Sequence, residues 1–204
     1  MSSPIGEQRR LKKGNRMLLT ADQLVLLILD AAGGSVRGKT LLQKRAYFLA
    51  QLLHLDLSYR AHYYGPYSPE IESALSQNKG LGFVVEATSG FGMEDAIGFE
   101  VRRYDYRLTD DGRKVVAYLK EAYPKESAGV AVCLTRLVDA GDDSNYVSLS
   151  IAAKVHHILS EGQVSMTPDE IQGAAQQLGW KIMPHAINLA AMFLDKLGLV
   201  IAPK

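Results

Sequence analysis

The chain of 204 residues has one cysteine, Cys133, and one tryptophan. A lone thiol cannot close an internal disulfide, and it also excludes a cysteine-based zinc finger. Long apolar runs are missing as well. The longest, Leu24 to Leu29, is far too short to span a bilayer, so no membrane partner is expected. The N-terminal stretch MSSPIGEQRRLKKGNR lacks the apolar middle of a signal peptide, which points to a cytoplasmic location. Net charge is nearly absent too, at +1. That total hides an uneven distribution. Residues 1–16 hold Arg9, Arg10, Lys12, Lys13 and Arg16 against Glu7, a local balance of +4, and the rest of the chain sums to −3. A basic arm on a slightly acidic body is a first, weak pointer to a polyanionic partner. With 47% apolar and 22% charged residues, the chain has ample material for a core and is not disordered as a whole.

The pattern along the chain is mainly helical. Thr20 and Gln23 have the spacing of a capping box ahead of Leu24, Val25, Leu27 and Ile28, and Gly33-Gly34 ends this first helix. A second helix spans Lys39 to Leu53, with Leu42, Ala46, Leu49 and Leu53 on one face. Tyr59 to Tyr67 is aromatic and turns at Gly65-Pro66. Ser68 and Pro69 open a short third helix that ends by Gly80. Two strands, Gly82 to Thr88 and Phe99 to Thr109, flank a glycine-containing tip and predict a β-hairpin. Thr109, Asp110 and Asp111 then start another helix, with acidic residues at its positive end. Three helices, a hairpin and a closing helix in that order predict a winged helix-turn-helix domain over residues 17–122. The string Tyr106-x-Leu108-Thr109-x-x-Gly112, where a wing strand passes directly into a helix, supports it.

Residues 123–146 read as a connecting region, with a short helix over Val130 to Val138 and a loop over Ala140 to Asn145. Three helices follow, from Val147 to Leu159, from the Thr167–Glu170 capping box to Gly179, and from Pro184 to Gly198, with Leu199 to Ile201 extended. Residues 147–204 therefore predict a second, tri-helical unit like a helix-turn-helix. Its last helix is apolar over most of its surface, which suits burial inside the fold or an interface with a protein partner or a second copy.

Gly33 to Thr40 matches the phosphate-loop pattern G-x-x-x-x-G-K-[ST], in which backbone amides cradle phosphates and the lysine reaches the outer ones. Such a loop belongs to a parallel sheet of repeated strand–helix units, which residues 55–204 do not supply. A helix start with Arg37, Lys39, Thr40 and Lys44 is instead a candidate seat for DNA phosphates. Ser73, Ser76, Gln77, Asn78 and Lys79 of the third helix are candidates to face a groove, and Arg102 and Arg103 to support the wing. Glu70 and Glu72 oppose that use, because carboxylates repel phosphates. The basic arm is suited to a minor groove. Tyr59, Tyr63, Tyr64 and Tyr67 suit either core packing or stacking on single-stranded bases. His156, His157 and His185 lack the spacing of a metal site, and no nucleophile–base set or carboxylate pair stands out. No catalysis, cofactor or metal is expected.

The string Gly38-Lys39-Thr40-Leu41-Leu42-Gln43-Lys44-Arg45-Ala46-Tyr47-Phe48-Leu49, followed by Tyr63-Tyr64-Gly65-Pro66-Tyr67-Ser68-Pro69, resembles small prokaryotic proteins of the YwgA type. It resembles more distantly the SocA-like (Panacea) antitoxin domain, which shares the Leu-Gln-Lys helix and the Tyr-Gly-Pro turn. The likeness covers about residues 20–122. It implies a winged-helix fold, and through the antitoxin relatives it implies protein neutralisation, transcriptional regulation, or both. The combined expectation is a double-stranded-DNA-binding regulator. The alternative is a protein-interaction module, antitoxin-like or a subunit of a defence complex. A nucleotide binder is the third reading.

Overall fold

The computed structural model describes residues 19–94, 100–142, 145–162 and 166–200. Among these residues the chain is mainly helical, with one small antiparallel sheet. Helix α1 (Ala21–Ala31) starts at the capping box of Thr20 and Gln23, each side chain serving the other's backbone. Its residues Leu24 to Leu29 are all buried. A helix apolar on every side needs neighbours on every side. Here α1 is wrapped by α2 (Lys39–Leu53), α3 (Pro69–Gly80), α4 (Asp110–Ala122) and α5 (Pro124–Ala140).

The sheet has the order β1-β3-β2, all antiparallel. Strand β1 (Ser35–Arg37) was not anticipated. Three residues are too few to show a period, and only Val36 points into the core. Strand β2 (Val84–Glu94) runs beyond its expected end at Thr88, with an irregular register between Gly90 and Glu94, opposite β3 (Glu100–Leu108). The tip at 95–99 lies outside the described residues.

The step from β3 into α4 accounts for the Leu-Thr-x-x-Gly string. Thr109 caps α4 by accepting from the Gly112 amide at 3.0 Å, while its hydroxyl donates to the Gly82 carbonyl at 2.7 Å. A Cβ on Gly112 would stand 2.1 Å from the Phe83 carbonyl oxygen. Glycine is required there by close backbone approach.

The stretch expected as a connector is mostly the 17-residue helix α5, and it is part of the core. Val130, Cys133, Leu134 and Leu137 recur at helical spacing and are buried against α1 and α2. Helices α6 (Tyr146–Gly162), α7 (Pro168–Gln177) and α8 (Pro184–Leu197) follow at the expected places. Helix α6 packs on both α2 and α8, so buried side chains from both ends of the chain form one apolar cluster.

Candidate functional site

Two of the residues expected to meet DNA are taken off the surface by the fold. Lys44 is 2% exposed, and its Nζ donates to the Pro66 carbonyl at 2.6 Å. A lysine so placed does not reach a phosphate, so its assigned role is corrected: it holds a turn. Asn78, also 2% exposed, donates to the Asp22 and Ala74 carbonyls and ties α3 to α1 rather than facing a groove. Both positions read as surface in the sequence because polar residues usually are.

The remaining cations are divided. Arg37 lines a cleft of about 600 Å³ beside Leu134, Thr135 and Val138 of α5. Lys39 turns the other way and pairs with Glu72 of α3 at 2.7 Å, and Lys79 pairs with Glu86 of β2. Exposed pairs of this kind contribute little stability, yet each carboxylate cancels the local field that would draw a phosphate. Thr40 lies half-buried, while Ser73, Ser76 and Gln77 remain on the outer face of α3, with Gln77 donating to Ser73 Oγ at 3.3 Å. Arg102 and Arg103 stand opposite Gly90 and Ser89 in the ladder, and their side chains lie outside the described residues. The basic arm, Arg9 to Arg16, lies outside them too.

The phosphate-loop string takes a different shape. Its middle, Ser35–Arg37, is extended and paired with β3, whereas a phosphate loop must curl so that consecutive amides converge.

What the Leu-Gln-Lys and Tyr-Gly-Pro-Tyr-Ser strings do instead is clamp each other. The Gln43 amide donates to the Ser68 carbonyl at 3.0 Å and accepts from the Ser68 amide at 3.1 Å. Lys44 holds Pro66 between them. Gly65 has φ of +93°, and a Cβ there would meet Lys154 Cγ at 3.0 Å and the Ser150 carbonyl at 3.3 Å. The turn is thus pressed onto α6. Burial, with the Lys154 ammonium nearby, lowers the Lys44 pKa to about 7.

Compared with protein-family models and with curated proteins, the chain matches neither. The candidate sites therefore stand on geometry.

Two surfaces are notable. The first is an apolar groove of about 270 Å³ where α6 meets α8, lined by Leu149, Ile151, Leu189, Met192 and Phe193, with Lys196 as its charged residue. Leu189 and Met192 are 64% and 58% exposed, so α8 is only partly absorbed into the core. The second is a cleft of about 390 Å³ on the neighbouring face of α6, walled by Tyr63, Tyr64, Tyr146, Lys154, Trp180 and Lys181. The four tyrosines of the aromatic stretch separate here. Tyr59 packs edge-on against Tyr47, and Tyr67 lies beneath Arg60, but Tyr63 and Tyr64 are exposed at the cleft mouth. Sequence spacing gave no sign of the second wall, because Trp180 lies more than a hundred residues from Tyr64. It is brought there by its indole N–H donating to the His62 carbonyl at 2.8 Å.

The histidines are structural or exposed. His156 is buried with Nδ1 2.7 Å from the Tyr47 hydroxyl, and burial lowers its pKa to about 4. Among the described residues no group of three or more His, Cys, Asp or Glu side chains is placed to hold a metal, and no helix is long and apolar enough to cross a membrane.

Proposed function

We propose that this is a winged-helix-type protein-interaction module that engages a partner through the α6–α8 groove. The observation that carries the reading is the exposed Leu189–Met192 face of α8, continuous with Ile151 and Phe193 in an apolar trough. Apolar surface left beside a full core stabilises a complex when a partner covers it. The order helix, strand, two helices, two strands, helix supports the winged-helix assignment. The pairing of Lys39 and Lys79 with carboxylates supports a partner other than the DNA backbone at α3.

A photocrosslinking side chain placed at Met192 in the source cell is expected to trap one defined protein. The trapped species should vanish on Leu189→Glu, while a crosslinker at Gln77 gives none. Trapping from Gln77 and not from Met192 would overturn the assignment.

Duplex DNA binding is the second reading, favoured by the exposed Arg37 and Arg107 on the sheet and by the basic arm. It requires affinity for random duplex that falls steeply with salt and flattens when residues 1–16 are removed.

A further inference from the structure

The cleft between the Tyr63–Tyr64 turn and Trp180 is separate from the α6–α8 groove, apart from Ile151, which borders both. One wall is a row along α6. Tyr146, Ser150 and Lys154 follow one another at four-residue spacing, which places them one above the next on a single helix face. The opposite side is formed by the paired rings of Tyr63 and Tyr64, 4.9 Å apart and perpendicular, with Tyr64 also 6.3 Å from Tyr146. Trp180 closes the inner end, and Lys154 Nζ lies over its ring at 5.5 Å.

Two features ask for a ligand. Ser150 is 5% exposed, lines the cleft, and its hydroxyl has no hydrogen-bond partner among the described residues. A buried hydroxyl left unpaired loses solvation without recovering it. Lys154 and Lys181 also border the cleft, no carboxylate lines it, and neither ammonium has a carboxylate partner among the described residues. Donors and cations therefore dominate its polar chemistry, and tyrosine rings dominate its apolar chemistry. An anion joined to a flat ring matches both. A peptide would also need acceptors for its backbone N–H groups, and the lining side chains offer few beyond hydroxyls.

We propose that this cleft binds a nucleotide, its base stacked on the Tyr64 ring with the perpendicular Tyr63 ring against its edge, and its phosphate between Lys154 and Lys181 with the Ser150 hydroxyl donating to it. The site is independent of the phosphate-loop look-alike and of the protein groove. The same chemistry is offered by a free nucleotide and by a unit of single-stranded nucleic acid. Base stacking tolerates any sequence, and two lysines supply charge-assisted contacts to one phosphate.

Trp180 is the only tryptophan, so its emission reports directly on the cleft. The full chain is titrated at low salt with AMP, adenosine, inorganic phosphate and an oligothymidylate, with calorimetry as a second readout. The expected result is a saturable change with AMP and at least tenfold weaker binding of both adenosine and phosphate. Lys154→Met should weaken AMP about tenfold and leave adenosine unchanged, while Tyr64→Ala should weaken both. Lys181→Met, at an exposed position, repeats the charge test should Lys154→Met fold poorly. Tight binding of the oligomer with weak binding of AMP supports the site with single-stranded nucleic acid as its source. Phosphate binding as tightly as AMP, no saturable response to AMP or the oligomer, or lysine variants that bind like the parent would each overturn the proposal. Loss of the Met192 crosslink would leave this proposal untouched, and absence of nucleotide binding would leave the groove reading untouched.

Discussion

Lys44 ties the pH dependence of stability to a single buried amine. Burial holds its folded-state pKa near 7, against 10.5 for the free side chain. Between those values the unfolded chain binds a proton that the folded chain does not, so stability rises with pH across the window. The slope from one such group is about 1.4 kcal/mol per pH unit, which amounts to about 2.5 kcal/mol from pH ~7.5 to ~9.5 once the partial titration at both ends is included. Below pH ~7 the folded protein carries the charge and bears the full burial penalty. Lys44→Met removes the titration while keeping the length of the side chain, at the cost of leaving the Pro66 carbonyl without its donor. The two stability curves should therefore converge or cross at the acid end and diverge toward alkali, the parent being the more stable there. Urea unfolding of both proteins at paired pH values measures this. Burial of Lys154 lowers its pKa, and burial raises those of Cys133, Tyr47, Tyr59 and Tyr106. Those groups are common to both proteins, so the difference between the curves isolates Lys44. Parallel curves would show that Lys44 is solvated in the folded state and would refute its role as the turn's anchor.

Gly112→Ala should destabilise the protein by about 3 kcal/mol in the same assay, since the new methyl meets the fixed Phe83 carbonyl; a net stabilisation of about 1 kcal/mol, the helix-propensity gain of alanine, would contradict that contact. Arg45→Met leaves buried Asp142 without its 2.8 Å guanidinium partner and should cost about 3–5 kcal/mol, read from the urea midpoint. His156 has a folded-state pKa lowered to about 4 from 6.5, so it adds acid lability: stability should fall as pH drops from about 6.5 to about 4, and His156→Gln should flatten that limb in acid titrations followed by circular dichroism. Tyr47→Phe removes the hydroxyl that meets His156 Nδ1 and should cost about 1–2 kcal/mol at neutral pH.

Local signals carried most of the helices. The capping boxes at Thr20 and Thr167, the Ser68-Pro69 and Pro184 starts and the Gly198 stop all act within a single turn of chain, so the residues themselves place those ends. The apolar period over Leu41 to Leu53 did the same for α2. Harder to read were β1, a three-residue strand whose existence depends on β3 seventy residues later, and α5, whose burial depends on α1 and α2 being there to receive it. Two of the candidate DNA contacts misled for a related reason. Lys44 and Asn78 are polar residues whose partners are backbone carbonyls distant in sequence, and a spacing rule cannot see a carbonyl.

The near-absence of net charge is likewise a property of the sequence, but its distribution over the surface is not. The sequence alone determined that the chain is mainly helical, where most helices start and stop, and that no described helix spans a membrane. Those features depend on capping, periodicity and run length, all local quantities. Only the tertiary structure decided that Lys39 and Lys79 meet carboxylates, that Gln43 and Lys44 grip the Gly-Pro turn, and that Tyr64, Ser150, Lys154 and Trp180 share one cleft. Each of these depends on which distant segments the single core brings within a few ångströms, and burial of apolar surface makes that choice without regard to separation along the chain.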